Sequence, residues 1–261
     1  MLRPRIIPCL LIKGGGLVKT VNFRTPKYVG DPINAVRIFN EKEVDELMVV
    51  DIDATVDQRE PNYALIKNLA SECRMPLCYG GGVTSVEQFQ RLVSLGVEKV
   101  AISAAAVANP NLVSEAASKV GGQSVVVVMD VLKGPQGYTI WTHNAGKATE
   151  LEPVAFARRM QDLGAGEVVV NSIDRDGVMK GYDYDLATRV REATSVPLTI
   201  MGGAGSLNDI AELVRMFGVI GVAAGSLFVF KGVYRAVLIN YPSPTQKDEI
   251  ADTAQVAVQA R

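Results

Sequence analysis

Three aspartates, Asp51, Asp130 and Asp176, are the candidates for proton transfer in this chain. Each comes at or shortly after the end of an apolar run, and Asp130 ends a run that holds no other charged residue. Carboxylates in such places act as general acids or bases when burial and neighbouring charges bring their pKa toward the working pH. A helix cap or a loop salt bridge is the alternative role, which we favour for Asp53 and Asp174. Asp130 is therefore the first candidate for a catalytic group.

Two glycine loops are candidates for phosphate binding. Gly81 and Gly82 follow one apolar run, Gly202 and Gly203 follow another, and each loop precedes a segment with helical spacing. Bare backbone can approach a phosphate closely in such a loop, although a strand-to-helix turn also uses glycine for geometry alone. Two related loops on opposite sides of one fold would suit the two ends of a bisphosphate. Hydroxyl groups for the same two sites are expected from Ser103 and Ser226.

Lys19, His143 and the three cysteines are the other side chains with reactive groups. Lys19 lies in a glycine-rich loop after the first apolar run, and we count it among the catalytic candidates because it could swing over an anionic substrate. The alternative is a solvated lysine. His143, the only histidine, has no metal-ligand companion, so we expect a structural role. The cysteines (Cys9, Cys73 and Cys78) show no metal-type spacing and are expected to be buried thiols in a reducing compartment. Neither a metal nor a cofactor is predicted.

Eight apolar runs must position these residues. Each is four to eight residues long and too apolar to be half exposed, which predicts buried strands. The runs end near Ile12, Asp51, Tyr79, Ser103, Asp130, Asn171, Met201 and Ala224. Segments with helical spacing lie between them, with start signals at Asp31-Pro32, a capping box at 84–87 and a weaker one at 206–209. Eight alternating strand and helix units predict a single (β/α)8 TIM barrel, whose active face is formed by the strand C-termini.

An internal repeat supports this barrel. The segment 77–87 aligns with 198–208, and 49–53 aligns with 170–174, so the two halves look like copies of one four-unit half-barrel. Turn signals also predict a hairpin inserted at 133–147, after the fifth strand. The predicted domains are a barrel over residues 1–241, with half-barrels at about 1–122 and 123–241, and a C-terminal tail over 242–261.

Composition excludes several classes of partner. The formal net charge is −1 and there is no basic run, which argues against binding to nucleic acid or to an anionic membrane surface. No stretch approaches the roughly 18 apolar residues that a membrane span needs, and the N-terminus lacks the apolar core of a signal peptide. We therefore expect a cytoplasmic protein that binds a phosphorylated small molecule.

Four charged residues begin strands and so should ring the opposite, N-terminal mouth of the barrel. They are Arg5, Glu46, Lys99 and Glu167, two cations and two anions. Such a ring usually only closes the bottom of the barrel and neutralises itself. It could also gate a passage into the barrel.

Several motifs together resemble one enzyme family. They lie at 5–10 (RIIPCL), 30–32 (GDP), 45–47 (DEL), 80–82 (GGG), 172–177 (SIDRDG) and 202–205 (GGAG). This set resembles the cyclase subunit of imidazole glycerol phosphate synthase, over residues 1 to about 230. The resemblance implies a barrel docked at its bottom face onto a glutaminase subunit, with ammonia passing through the charged gate to the substrate. It also implies functional roles for the four gate residues, the glycine loops, Lys19 and the three aspartates.

The chain departs from the family pattern at the end of the first strand. The family uses two aspartates as acid and base, one at the end of strand one and one at the end of strand five. Here the second is Asp130, but the first is Leu11, which cannot transfer a proton. Each such partner contributes roughly 10²–10⁴ in rate. The phosphate sites depart too, with Ser103-Ala104 in place of Asn-Thr and Asn171 in place of Thr.

Three functions follow from the resemblance. The stretch 8–23, with leucine at position 11, is similar to a branch of the family implicated in forming acetamidino groups on sugars of lipopolysaccharide O-antigen. That branch implies ammonia delivery to a sugar, with a separate sugar amidotransferase as a further partner. The alternative is the ammonia-dependent cyclisation of the ribulosyl aminoimidazole carboxamide ribonucleotide in histidine biosynthesis. A third possibility is a non-catalytic ammonia conduit.

Overall fold

The apolar runs form the parallel strands of a closed barrel. The computed structural model describes residues 3–259. Its strands, in chain order, are β1 (Arg5–Lys13), β2 (Gly16–Val21), β3 (Arg24–Gly30), β4 (Leu47–Asp51), β5 (Leu77–Gly80), β6 (Lys99–Ile102), β7 (Val125–Gly134), β8 (Gly137–Thr142), β9 (Lys147–Ala148), β10 (Glu167–Ser172), β11 (Leu198–Met201), β12 (Gly221–Ala224), β13 (Phe230–Lys231) and β14 (Ala236–Val237). The eight barrel strands are β1, β4, β5, β6, β7, β10, β11 and β12.

Pairing between first and last barrel strands closes the sheet. Strand β1 pairs in parallel with β12 on one side, where Ile6 faces Val222, and with β4 on the other, where Cys9 faces Met48. Strand β7 pairs in parallel with both β6 and β10. All eight strands run in the same direction, so the structure confirms the predicted (β/α)8 barrel and places the C-terminal ends of the strands around one mouth.

Helices cover the outside of the barrel. They are α1 (Pro32–Glu41), α2 (Tyr63–Glu72), α3 (Val86–Ser94), α4 (Ala104–Ala108), α5 (Asn111–Val120), α6 (Pro153–Asp162), α7 (Tyr184–Ala193), α8 (Leu207–Phe217), α9 (Ser226–Val229) and α10 (Pro244–Gln259). The capping box of α3 begins at Ser85, one residue later than predicted. The reason is that the side chain that returns to the cap is Gln88, whose Oε1 accepts from the Ser85 N–H at 3.2 Å. The box predicted at 206–209 is confirmed.

The core has two layers, as the alternation of side chains along a strand requires. The larger layer lies between the strands and the helices. A smaller inner layer fills the barrel itself. Its members are Ile7, Cys9, Met48, Cys78, Ala101, Val126, Val169, Met201 and Ala223. Leu11 packs against the upper side of this inner layer, so the end of β1 points an apolar side chain into the barrel.

Two antiparallel hairpins rise from the first and the fifth barrel strands. Strand β7 continues beyond the barrel rim and pairs with β8, which forms the hairpin predicted after the fifth strand. Strand β1 likewise pairs with β2, and β2 pairs with β3. The sequence suggested only a glycine-rich loop there. The hairpin forms because Leu11 faces Val18 and Ile12 faces Leu17 across the two strands, which buries Leu17 and Val18.

The segment predicted as a tail contains α10, which packs on α8 with Ile250 buried against the outer core. The division at residue 241 stays a prediction. Among residues 3–259, no helix is both long and apolar enough to span a membrane.

Candidate active site

The four gate candidates meet at the lower mouth, formed by the strand N-termini. Arg5 donates hydrogen bonds to Glu46 and, at 2.8 Å, to Oε1 of Glu167. Lys99 Nζ lies 2.7 Å from Oε2 of Glu46 and 2.8 Å from Oε2 of Glu167. Thr199 donates a further hydrogen bond to Glu167 at 2.5 Å. Each charge therefore contacts two opposite charges, and the ring closes on itself.

The ion pairs of the ring shift the pKa values of three of its members toward the charged form. Burial disfavours the ionised Glu167, but the hydrogen bonds and charges of Arg5 and Lys99 outweigh burial and hold the pKa of Glu167 below its ordinary value. Burial likewise opposes the charge on Lys99, yet Glu167 and Glu46 raise the pKa of its ammonium. The ring thus favours the charged forms of Arg5, Lys99 and Glu167.

At the upper mouth, a pocket brings together the residues predicted from strand ends. It is lined by all three candidate aspartates and Lys19, both glycine loops, Ser103 and Ser226. Leu11 and Asn171 also line it. The barrel therefore assembles the predicted upper-face residues at one opening, while the four gate residues lie at the opposite end of the inner core.

Asp130 lies on the inner side of β7, deep in this pocket. Its Oδ1 accepts a hydrogen bond from Asn171 Nδ2 at 2.9 Å, and its Oδ2 accepts one from Ser103 Oγ at 3.4 Å. Burial raises the pKa of the Asp130 carboxyl to about 6, because the two hydrogen bonds only partly compensate for lost hydration, and Asp176 adds a like charge. A carboxyl with such a pKa can both donate and accept a proton near neutral pH.

Asp176 and Asp51 have additional structural contacts. Oδ2 of Asp176 accepts from Thr20 Oγ1 at 2.8 Å, which ties the first hairpin to the loop after β10. Burial raises the pKa of Asp176 despite this bond. Asp51 accepts from the N–H groups of Asp53 and Ala54, both at 3.1 Å, and so shapes the loop after β4. Of the three candidate aspartates, Asp130 is therefore the one whose side chain accepts no hydrogen bond from the described backbone.

Lys19 does not lie on an open loop, as the sequence suggested, but on β2. Only 5% of its surface is exposed, and Nζ donates a hydrogen bond to the Cys9 carbonyl oxygen at 2.5 Å. Lys19 forms no salt bridge within the described part of the chain. Burial lowers the pKa of its amine, although Cys9 and Asp176 act in the opposite direction. The solvated lysine considered as an alternative is thus excluded by the structure.

The glycine loops are tightly packed by backbone. A Cβ on Gly81 would lie 2.3 Å from the Asp51 carbonyl oxygen, and one on Gly203 would lie 2.2 Å from the Gly181 carbonyl oxygen. Both glycines have positive φ, +115° and +118°. Glycine is therefore required at these turns with or without a phosphate, and the phosphate-binding role of the loops stays a prediction.

Asn171 was noted from the sequence as the end of an apolar run and as a departure from the family's phosphate-site pattern, but it was assigned no role of its own. Its Oδ1 is buried and accepts no hydrogen bond from any described residue, and it lies beside the loop at Gly202. Its position at the end of an apolar run was the signal that could have identified it. In residues 3–259, no cluster of three or more His, Cys, Asp or Glu side chains could hold a metal ion.

The two hairpins supply pocket residues that the sequence did not indicate. Thr20 and Phe23 come from the first hairpin, and His143 and Asn144 come from the second. Asn144 Nδ2 donates to the Ile52 carbonyl oxygen at 2.8 Å, which fixes the second hairpin across the mouth. The turn signal at Asn144 predicted the hairpin but not its direction. His143 is exposed at the rim of the pocket, with Nδ1 2.9 Å from Thr142 Oγ1.

Comparison with known proteins agrees with this geometry. The family described as "Histidine biosynthesis protein" matches residues 5–235. A Vibrio vulnificus protein provisionally named imidazole glycerol phosphate synthase subunit hisF3 is 55% identical over 249 residues, which cover 95% of this chain and 96% of that protein. A Leptospira borgpetersenii protein, provisionally named subunit HisF, is 52% identical over 252 residues, 96% of this chain and 99% of its own. A Pseudomonas aeruginosa protein, provisionally named subunit hisF2, is 51% identical over 249 residues, 95% and 99% of the two chains.

The chain therefore belongs to the histidine biosynthesis protein family, among relatives named as subunits of imidazole glycerol phosphate synthase.

Proposed function

We propose that this chain is the barrel subunit of a glutamine-dependent synthase, and that it uses ammonia at its upper mouth to convert a phosphorylated substrate. The reaction that the relatives' names favour is the cyclisation of the ribulosyl aminoimidazole carboxamide ribonucleotide to imidazole glycerol phosphate. The observation that carries the proposal is the alignment of two sites along one axis. Asp130 lies between the glycine loops at one end of the inner core, and the ionic ring lies at the other.

Ammonia would enter at the lower mouth. A glutaminase subunit docked there would release ammonia onto the ring of Arg5, Glu46, Lys99 and Glu167. The inner core above this ring consists of apolar side chains. Such a lining favours neutral ammonia over ammonium, because an unpaired charge inside it would lose its hydration. Opening the passage would require the side chains of the ring to separate.

At the upper mouth, Asp130 would serve as the main acid and base. Its pKa of about 6 allows the carboxyl to take a proton from the attacking ammonia and return it to a leaving oxygen. The glycine loops, with Ser103 and Ser226, would hold the two phosphate groups. Oδ1 of Asn171, which lacks a donor, would accept a hydrogen bond from the substrate between them.

One observation favours a second function. Leu11 occupies the place of the family's first catalytic aspartate and points an apolar side chain into the pocket. A barrel that keeps the ionic ring but lacks one acid–base group suits delivery of ammonia to other chemistry. The second candidate is therefore acetamidino-group formation on a sugar of the lipopolysaccharide O-antigen, together with a separate sugar amidotransferase.

One assay distinguishes the two functions. The purified chain is given the ribonucleotide and ammonium chloride, and formation of imidazole glycerol phosphate is followed. Turnover that disappears in Asp130→Asn but persists in Asp53→Asn supports the cyclase. The absence of turnover, both in the natural chain and in Leu11→Asp, contradicts the cyclase and leaves ammonia delivery to a sugar.

A further inference from the structure

The buried amine of Lys19 is a reactive group that takes no part in the proton transfers proposed for Asp130. Lys19 lines the upper pocket, and its Nζ lies near Gly225, just after β12, and donates a hydrogen bond to the carbonyl oxygen of Cys9 in β1. An ammonium ion would carry an unpaired charge into this site, because Lys19 has no salt-bridge partner among the described residues. Isolated buried charges are costly, so the site favours the neutral amine with its free electron pair.

The fold keeps space for this amine. A Cβ on Gly225 would lie only 2.6 Å from Lys19 Nζ, although the backbone of Gly225, with φ of −105°, would accept any residue. A side chain at this position would therefore displace the lysine head group, and glycine leaves room for Nζ beside the backbone that follows β12.

Proton carriers lie in the same pocket. Asp130 titrates near pH 6, and Asp176 is close enough for its charge to act on the amine of Lys19. A desolvated, neutral lysine amine can form an imine with a carbonyl compound, and the carboxyls that line the same pocket can carry the protons.

We propose that Lys19 is a nucleophile that forms an imine with the keto group of a phosphorylated ketose, and that ammonia then displaces the lysine. The source of the ammonia rests on the function proposed above, whereas formation of the lysine adduct does not.

The steps balance as follows. The lone pair of Lys19 Nζ attacks the keto carbon, the carbonyl oxygen takes a proton from Asp130, and the amine gives up a proton to Asp176. Asp176 returns its proton to the hydroxyl of the carbinolamine, and loss of water gives the protonated imine. Ammonia adds to the same carbon, one of its protons passes to Nζ, and the bond from that carbon to Nζ breaks, which restores the free amine. The protonated imine that remains gives its proton to Asp130. The net change is ketone plus ammonia to imine plus water, and no oxidant or reductant is needed.

Reductive trapping tests the adduct directly. The chain is incubated with ribulose 5-phosphate and sodium cyanoborohydride without ammonia, and peptide mass spectrometry locates the modified lysines. We expect the adduct on Lys19, and we expect inorganic phosphate to suppress it. Lys27 lies exposed on β3 of the same hairpin and reports non-specific modification. Modification of Lys27 without modification of Lys19 overturns the proposal.

Two variants control for folding. Lys19→Arg keeps a long basic side chain but cannot form the imine, so the adduct at position 19 should vanish. The control variant Lys27→Arg should keep the adduct on Lys19. Gly225→Ala retains the lysine but displaces its amine, so labelling of Lys19 should fall while thermal unfolding shows a folded protein. Unchanged labelling of Lys19 in a folded Gly225→Ala contradicts the proposed geometry.

The outcomes also separate this inference from the proposed function. Trapping of Lys19 without any cyclisation leaves the nucleophile in place and rejects the cyclase. Cyclisation without trapping of Lys19 rejects the nucleophile and retains the cyclase.

Discussion

The two mouths of the barrel hold their ionisable groups in opposite ways. At the lower mouth, Arg5, Lys99 and the two glutamates form a closed set of ion pairs, and pairing favours the charged forms of Arg5, Lys99 and Glu167. At the upper mouth, Asp130 and Lys19 have no ion-pair partner within residues 3–259, and burial moves both pKa values toward neutrality. Paired charges are fixed, whereas unpaired buried groups exchange protons near working pH. The difference separates a structural or gating site from a site suited to proton transfer.

The largest expected effect comes from removing the unpaired carboxyl of the upper mouth. Asp130→Asn should lower kcat of the ammonia-dependent reaction by roughly 10²–10⁴, the contribution typical of a general acid–base group. The fold should not suffer, because asparagine avoids burying a charge. Steady-state kinetics and urea unfolding measure the two effects. Asp53→Asn is the control, since Asp53 pairs with Lys13 away from Asp130. Full activity in Asp130→Asn would show that Asp130 transfers no proton, and the contrast between the two mouths would fail.

Breaking the lower ring should act on stability instead. Glu167→Gln leaves Arg5 and Lys99 with Glu46 as their only carboxylate in the ring, and removing one partner of a buried pair costs about 3–5 kcal/mol. Urea unfolding measures the loss, with Asp53→Asn as an exposed-pair comparison that should lose much less. The ammonia-dependent reaction at the upper mouth should persist in the folded variant. A variant as stable as the natural chain would show that the ring contributes nothing to stability.

The free energy of unfolding contributed by Asp130 at the upper mouth and that contributed by Glu167 at the lower mouth should depend on pH in opposite directions. Asp130 has a folded-state pKa raised from 3.8 to about 6, so the folded chain binds more protons and stability falls as pH rises from about 4 to 6. The free energy of unfolding is expected to fall by about 2 kcal/mol. This is less than the full pKa shift of Asp130 implies, because water reaches the pocket. Glu167 has a lowered pKa, so its contribution is present above its unfolded pKa and is lost as the solution becomes more acidic. Urea unfolding from pH 8 to well below pH 4 should show the fall above pH 4 disappear in Asp130→Asn and the acid-side loss disappear in Glu167→Gln. If both variants lost the same pH dependence, the proposed contrast would be wrong.

The smallest effect concerns the end of β1. Leu11→Asp places a second carboxyl in the upper pocket and should raise the cyclisation rate on the order of tenfold, less than a fully adapted group contributes. Product formation under saturating ammonium measures this gain, and Leu11→Asn controls for polarity without a titratable group. An equal gain in both variants would assign the effect to polarity and not to proton transfer.

The barrel could be predicted from sequence because its determinants are local. Apolar runs of four to eight residues between segments with helical spacing specify parallel strands, and the strand ends then follow from the ends of the runs. Asp130 was recognisable because it interrupts a run of valines. The glycine loops were recognisable because each one directly follows an apolar run.

Contacts between distant segments were not predictable. The burial of Lys19 depends on pairing of β2 with β1 and on the space left by Gly225, which is 206 residues away along the chain. Likewise, the direction of the second hairpin depends on the bond from Asn144 to Ile52. Neither cross-strand register nor such side-chain contacts leave a periodic trace in sequence.

The hairpins at the upper mouth also connect the two halves of the barrel. The first rises from β1 and is held by the loop after β10, where Asn22 N–H donates to the Asp176 carbonyl oxygen at 2.8 Å. The second rises from β7 and is held by the loop after β4 through Asn144 and Ile52. Each half therefore contributes a hairpin that only the other half can hold, as in a two-fold symmetric contact. A half-barrel alone could satisfy both of its contacts only by joining a second copy, so this single chain contains the contact geometry of a symmetric homodimer.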